Sequence, residues 1–208
     1  MHVIAIDGPA GSGKSTVARA VARHLGLAYL DTGAMYRSVA FAALRRGIDV
    51  NDAEAVGRLA QQVEMEIGAT VRVDGVDATV EIRGPEVTRA VSVVAANPEV
   101  RREMVRRQRD WVSVHGGAVV EGRDIGSVVF PNAELKVFLT ASDDERARRR
   151  SQEMRDLDYD TVAADIARRD LLDSTRTASP LVVAEDAVVV DTSGRTIEEI
   201  VEEVLTQL

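Results

Sequence analysis

The chain opens on a short apolar run, residues 2–7, and its pattern then switches to helical spacing. Val17, Ala18, Val21, Ala22 and Leu25 recur at the intervals that line one helix face, and Gly26 follows as a stop signal. The pattern predicts a buried strand over 2–7 and a helix over about 14–25. Ala28–Leu30 reads as a second strand, and helices are predicted over 33–46 and 53–65. The period then falls to two. Ala69–Val73 and Ala78–Ile82 alternate apolar positions on either side of Asp74-Gly75-Val76-Asp77, a hairpin signal. Helical spacing returns at 86–95 and at 98–113, where Pro98 suits a helix start, and again at 143–155 and 160–174. Strands are predicted at 118–121, 135–139 and 188–190, with a closing amphipathic helix at 196–207.

Strands alternating with helices predict an α/β fold of three layers, a parallel sheet flanked by helices on both faces. The change of period near residue 66 adds a small antiparallel β-rich insertion.

Composition narrows the chemistry. The 208 residues suffice to bury a core, and 45% hydrophobic with 29% charged residues is ordinary for a globular protein. A formal net charge of −8 provides no global attraction for nucleic acid or an anionic membrane, so an anionic ligand needs a local cluster of basic side chains. One Trp, three Tyr and three Phe leave few platforms for stacking bases. The absence of cysteine excludes disulfides, thiolate metal sites and thiol nucleophiles, and His2, His24 and His115 are too widely spaced to suggest a metal site. No apolar run approaches the roughly 18 residues that span a bilayer, and the first residues lack a basic n-region. The expectation is a cytoplasmic monomer without membrane or nucleic-acid partners.

Gly8-Pro9-Ala10-Gly11-Ser12-Gly13-Lys14-Ser15-Thr16 carries the strongest chemical signal. It follows a strand, opens a helix and fits the spacing of a P-loop. Glycines let backbone N–H groups turn toward a phosphate, and the helix N-terminus adds partial positive charge. Lys14 is placed to reach the terminal phosphates, and the Ser15 hydroxyl is a candidate magnesium ligand. The motif specifies a nucleoside triphosphate but no acceptor. Two further loops, Asp31-Thr32-Gly33-Ala34-Met35-Tyr36-Arg37 and Glu121-Gly122-Arg123-Asp124-Ile125-Gly126, follow predicted strands and are expected at the same sheet edge. Arg37 and Arg123 suit a phosphate, and Asp124 suits a base amine or a sugar hydroxyl. Arg169, Asp173 and Arg176 are spaced i, i+4, i+7 and share a face if the helix continues that far.

With these segments together, and with Arg106-Arg107-Gln108-Arg109 and Ser179-Pro180-Leu181-Val182, the chain resembles the bacterial cytidylate (CMP/dCMP) kinases over essentially its whole length. The resemblance implies a core of residues 1–65 and 96–208, a CMP-binding insertion over 66–95 and a lid near 145–160. It implies that Thr32 meets the acceptor nucleotide, that Arg37 and Arg123 grip its phosphate, and that Ser92, Arg101 and Asp124 surround the cytosine. Arg169, Asp173 and Arg176 match a set that holds sugar and phosphate. Glu121 stands where many relatives carry Asp, and Ser15 varies to Gly in some. In the lid, Arg146, Arg148, Arg149 and Arg150 form a basic cluster able to neutralise a transferring phosphoryl group. Arg149 and Arg150 are adjacent and point in different directions on a helix, so spacing does not single one out. Arg149 is carried forward beside Lys14 and Arg123 as a catalytic candidate.

The expected reaction is transfer of the γ-phosphoryl group of ATP to CMP or dCMP, with magnesium. Rival readings are a kinase of the same fold for AMP, UMP or shikimate, and a nucleotide-binding regulator without a small acceptor. No Asn-Lys-x-Asp guanine loop occurs, and the only lysines are Lys14 and Lys136.

Overall fold

The structure, a computed structural model, describes residues 2–153 and 158–208. Its elements in chain order are β1 (His2–Asp7), α1 (Lys14–Leu25), β2 (Ala28–Asp31), α2 (Thr32–Arg45), α3 (Ala53–Gln62), β3 (Met65–Ile67), β4 (Val71–Val73), β5 (Val76–Asp77), α4 (Pro85–Ala96), α5 (Pro98–His115), β6 (Gly117–Gly122), β7 (Leu135–Thr140), α6 (Asp143–Glu153), α7 (Tyr159–Thr175), β8 (Val188–Asp191) and α8 (Ile197–Leu205). The end of the helix expected over 143–155, and with it part of the expected lid, lies outside the described residues.

The chain divides into two compact units, residues 1–29 with 115–208, and residues 30–114. The first is built on a five-stranded sheet of order β2-β6-β1-β7-β8. β1 runs parallel to both β6 and β7, and β7 runs parallel to β8. β1 and β6 are the most deeply buried strands, and their continuous apolar runs are what a sheet covered on both faces requires. Ile4, Ile6, Val119, Val137 and Leu139 pack with Val17 and Val21 of α1 and Ile200 and Val204 of α8. α8 begins with a capping box in which the Thr196 side chain accepts from Glu199 N and the Glu199 carboxylate accepts from Thr196 N.

In the second unit α2 packs against α3, α4 and the small sheet β3-β4-β5. Both pairings of that sheet are antiparallel, and Asp74 and Gly75 both take positive φ, 50° and 75°, between β4 and β5. This is the primed hairpin turn that Asp-Gly favours. Arg107 donates to the carbonyls of Val63, Ala60 and Gln61 at 2.8, 3.0 and 3.1 Å, satisfying the exposed carbonyl end of α3.

Two local expectations are corrected. The helix predicted to 65 ends at Gln62, and Met65–Ile67 becomes a strand that pairs with Val71–Val73. The strand predicted at Ala78–Ile82 is instead a 3-10 turn, Glu81–Arg83. Ala78 and Ile82 are wholly buried while Val80 is 78% exposed, so the buried positions are four apart rather than two. Thr79 N and Oγ1 both donate to Asp77 Oδ1, which turns the chain out of the hairpin at that point.

Candidate active site

The turn between β1 and α1 is the centre of the first unit's polar chemistry. Gly8 and Gly13 have φ of 150° and 87°, and a Cβ on Gly8 would lie 2.1 Å from the Leu139 carbonyl oxygen, so the loop needs glycine there. Ser12 is fully buried and donates to the Pro9 carbonyl at 3.0 Å. Lys14, also buried, folds its ammonium back onto the loop and donates to Pro9 O at 2.6 Å and to Ser12 Oγ at 3.3 Å. Burial, then Arg123 and Arg169, hold the Lys14 pKa well below its ordinary value against the opposing pull of Glu121 and Asp7. Thr16, in the first turn of α1, is exposed.

The second strand end of this unit, β6, leads through Arg123 and Asp124 into a single π-helical turn, Ile125–Val129, a form concentrated at functional sites. That turn is fixed by Asp7, whose carboxylate accepts from Ile125 N and Gly126 N at 2.8 Å each. Arg123 Nε donates to Asp173 Oδ2 at 2.9 Å. Arg176 lies 3.6 Å from Asp173 and 3.7 Å from Asp124. Burial works to raise the Asp173 pKa, but Arg123, Arg169 and Arg176 outweigh it and lower the carboxyl below its usual range. Half-buried Arg169 is pushed down to about 10 by desolvation and by Arg123. Helix α7 stops at Thr175, one residue short of Arg176, yet the arginine still reaches the aspartate. Arg123 and Arg169 thus lower the proton affinity of Lys14, and Arg123 lowers that of Arg169. The three form a compact concentration of positive charge in a chain of net charge −8.

The lid arginines separate by helix face. Arg149 donates to the Thr192 hydroxyl at 2.9 Å and carbonyl at 2.7 Å, and one of its guanidinium nitrogens lies 3.5 Å from where a Cβ on Gly13 would stand. Arg146, buried, donates to the Ala10 carbonyl at 3.1 Å and pairs with Asp170, whose other oxygen accepts from Ala10 N at 3.1 Å. Arg148 is directed outward and pairs with Glu145, and Arg150 lies within electrostatic reach of Arg169. Arg146 thus touches the loop directly, a role that the basic cluster alone did not separate from its neighbours.

Within the second unit, Thr32 is buried in the first turn of α2, which Asp31 caps by accepting from Ala34 N at 3.0 Å. Arg37 is buried one turn on and donates to Ile82 O and Thr88 Oγ1 at 2.9 Å each. Ser92 is buried on α4. Arg101, buried on α5, donates to Ala95 O at 3.1 Å and lies 5.4 Å from the centre of the Tyr36 ring. Tyr36 was not singled out in advance, although its place one residue before Arg37 was visible.

The donor chemistry for magnesium sits beside Lys14. Ser15 Oγ donates to Glu121 Oε2 at 2.9 Å, and Tyr29 donates to Glu121 Oε1. Among the described residues no group of three His, Asp or Glu is arranged to hold a metal. The Ser15 hydroxyl and the Glu121 carboxylate are oxygen groups, the donor type that magnesium takes one or two of from protein while water and phosphate complete its shell.

A parallel sheet whose central strand runs into a glycine loop closed over a buried lysine defines the P-loop nucleoside-triphosphate-binding class. Solved structures agree on the fold. A shikimate kinase from Bacteroides thetaiotaomicron superposes with a TM-score of 0.51 at 16% identity, covering 100% of this chain and 99% of that one. An uncharacterized protein from Eubacterium ventriosum superposes with a TM-score of 0.55 at 11% identity, covering 100% and 98%. The family model for cytidylate kinase matches residues 4–208, and the chain belongs to that family. A cytidylate kinase of Mycolicibacterium paratuberculosis is 54% identical, over 96% of this chain and 92% of its own. One of Desulfitobacterium hafniense is 51% identical, over 98% and 90%.

Proposed function

We infer that the protein transfers the γ-phosphoryl group of ATP to the phosphate of CMP or dCMP, giving ADP and CDP or dCDP. The observation that carries the phosphate chemistry is the buried Lys14 folded onto the glycine loop, with Arg123 and Arg169 close enough to lower its proton affinity. Cations held together at this cost are neutralised by a polyphosphate. The family assignment carries the choice of nucleotide.

In the transfer, an oxygen of the acceptor phosphate forms the new P–O bond, and the bond from the γ-phosphorus to the β–γ bridging oxygen breaks with its electron pair leaving on ADP. The acceptor phosphate is already ionised at neutral pH, so no strong general base is needed and catalysis is chiefly positioning and charge neutralisation. Residues 8–16 hold the triphosphate through Lys14 and the backbone N–H groups of the loop, of which Pro9 has none. Arg123 and Arg149 neutralise charge on the transferring group, and Arg146 steadies the loop through Ala10. Arg37, Arg123 and Arg176 orient the acceptor phosphate, with Arg169 and Asp173 at the sugar. Thr32, Ser92, Arg101 and Asp124 select the nucleotide, and the lobe expected at 66–95 serves acceptor binding as part of the compact unit 30–114. Ser15, its proton held by Glu121, is the donor that would hold magnesium, and the ion would supply charge neutralisation at the phosphates. No helix among the described residues is long and apolar enough to cross a membrane. A cytoplasmic monomer acting on free nucleotides is the form proposed.

The test is ADP formation from ATP and magnesium with CMP, dCMP, UMP, AMP, shikimate or no acceptor. Strong dependence on CMP or dCMP with little UMP activity is expected. Preference for another acceptor overturns the nucleotide assignment, and hydrolysis independent of acceptor overturns the kinase reading.

A further inference from the structure

Tyr29 carries none of the roles above, yet it closes a chain of contacts that ends at the phosphate loop. It stands half-buried on β2, its phenol donates to Glu121 Oε1, and the Arg19 guanidinium from α1 lies over its ring, 5.2 Å from the centroid. The other oxygen of the same buried carboxylate, Oε2, accepts the Ser15 hydroxyl at 2.9 Å. A carboxylate rotates easily about its last torsion, which is broad and roughly two-fold. Donors on both of its oxygens remove that freedom.

The consequence falls on Ser15. A hydroxyl has one proton and two acceptor lone pairs. With its proton committed to Glu121, the lone pairs of Ser15 Oγ are directed away from the carboxylate and remain open to a cation. We propose that Tyr29 is a positioning residue for the magnesium of Mg·ATP. It holds the Glu121 carboxylate in the plane that takes the Ser15 proton, and so presents the Ser15 oxygen to the metal. Arg19 steadies the ring by a cation–π contact. Glu121 stands one step behind the metal ligand, where such partners commonly govern affinity, and Tyr29 orients Glu121. The inference rests on the reading of Ser15 as a magnesium donor. A phenol that only joined β2 to its neighbour β6 in the sheet would affect stability but not metal dependence.

Equilibrium binding of ATP to the full chain, measured with magnesium and again with EDTA, separates the two. The readout is the gain in affinity that magnesium confers. Tyr29→Phe keeps the ring under Arg19 and should leave the EDTA affinity unchanged while reducing the magnesium gain about tenfold. Ser15→Ala should reduce it at least as much, and the double variant should be no worse than Ser15→Ala alone, because the two act in series. Should Tyr29→Phe not fold, Tyr29→Leu removes the hydroxyl with a smaller side chain and gives the same readout. A full magnesium gain in the Tyr29 variant, with loss in Ser15→Ala, overturns the inference and leaves Ser15 as a donor. Losses that add in the double variant overturn it too. No gain in the parent chain, or a full gain in Ser15→Ala, overturns the magnesium reading of Ser15 itself.

Discussion

Asp7 Oδ2 accepts the Gly126 N–H at 2.8 Å, tying the last residue of β1 to the turn that carries Asp124. The adjacent Ile125 N–H goes to Oδ1 of the same carboxylate, so the strand that feeds the phosphate loop also sets the backbone beside a proposed base-recognition residue. Burial raises the Asp7 pKa to about 6, against the lowering effect of these two amides.

A carboxyl whose folded pKa lies above its unfolded value binds protons more tightly when folded, so its contribution to stability falls as pH rises from about 4 to 6. Measured by urea unfolding, the parent chain should lose about 1 kcal/mol relative to Asp7→Asn between pH 5 and pH 7. A difference independent of pH would show that Asp7 does not titrate in this range. Below pH 6 the protonated acid also accepts less well from Gly126, and the KM for CMP should rise there while that for ATP stays level.

Lys14→Ala should remove transfer, lowering kcat by at least about 100-fold. The fold should survive, because the variant deletes a buried cation that burial and two arginines already disfavour. Circular dichroism and a thermal midpoint close to that of the parent chain, together with loss of CMP-dependent ADP formation, are the expected pair of results. Normal turnover would sink the mechanism.

Asp124→Ala should damage the acceptor side alone. The carboxylate is buried and lies 3.7 Å from Arg176, so its loss removes a polar partner for the base and leaves the arginine less constrained. The expected outcome is at least a tenfold fall in kcat/KM for CMP with less than a twofold change in ATP affinity. Equal losses for both nucleotides would argue against a role in base recognition.

Arg107→Ala tests a residue of the family-like Arg106-Arg107-Gln108-Arg109 run whose visible work is structural. Its guanidinium holds three carbonyls at the end of α3 and also pairs with Glu103 at 2.6 Å. Its removal should cost about 2–3 kcal/mol in urea unfolding and leave kcat at permissive temperature unchanged. A selective loss of CMP turnover in a stable variant would place Arg107 in the site instead.

Much of this was legible in the chain. Helix α1 was readable because its apolar residues keep one spacing and glycines stand at both ends. The phosphate loop was readable because positive φ and the close approach of Leu139 admit little else at Gly8. The turn at Asp74-Gly75 was readable for the same local reason. Where two periods fit the same residues, reading failed. Ala78, Val80 and Ile82 alternate on paper, and only the Asp77–Thr79 contacts and the burial of Ala78 and Ile82 select a 3-10 turn over a strand.

The layered fold, the phosphate loop and the identity of the residues available for chemistry could be read from the chain, since these follow from local period, backbone conformation and residue type. Their partners are set by packing. Asp173 with Arg123, Asp7 with the 125–126 turn, and Tyr29 with Glu121 are separated by 50 or more residues, and no local rule pairs them. The same packing sets the charge of the site. Lys14 loses proton affinity because folding strips it of water and brings Arg123 and Arg169 near it, an effect that exists only once the chain is closed.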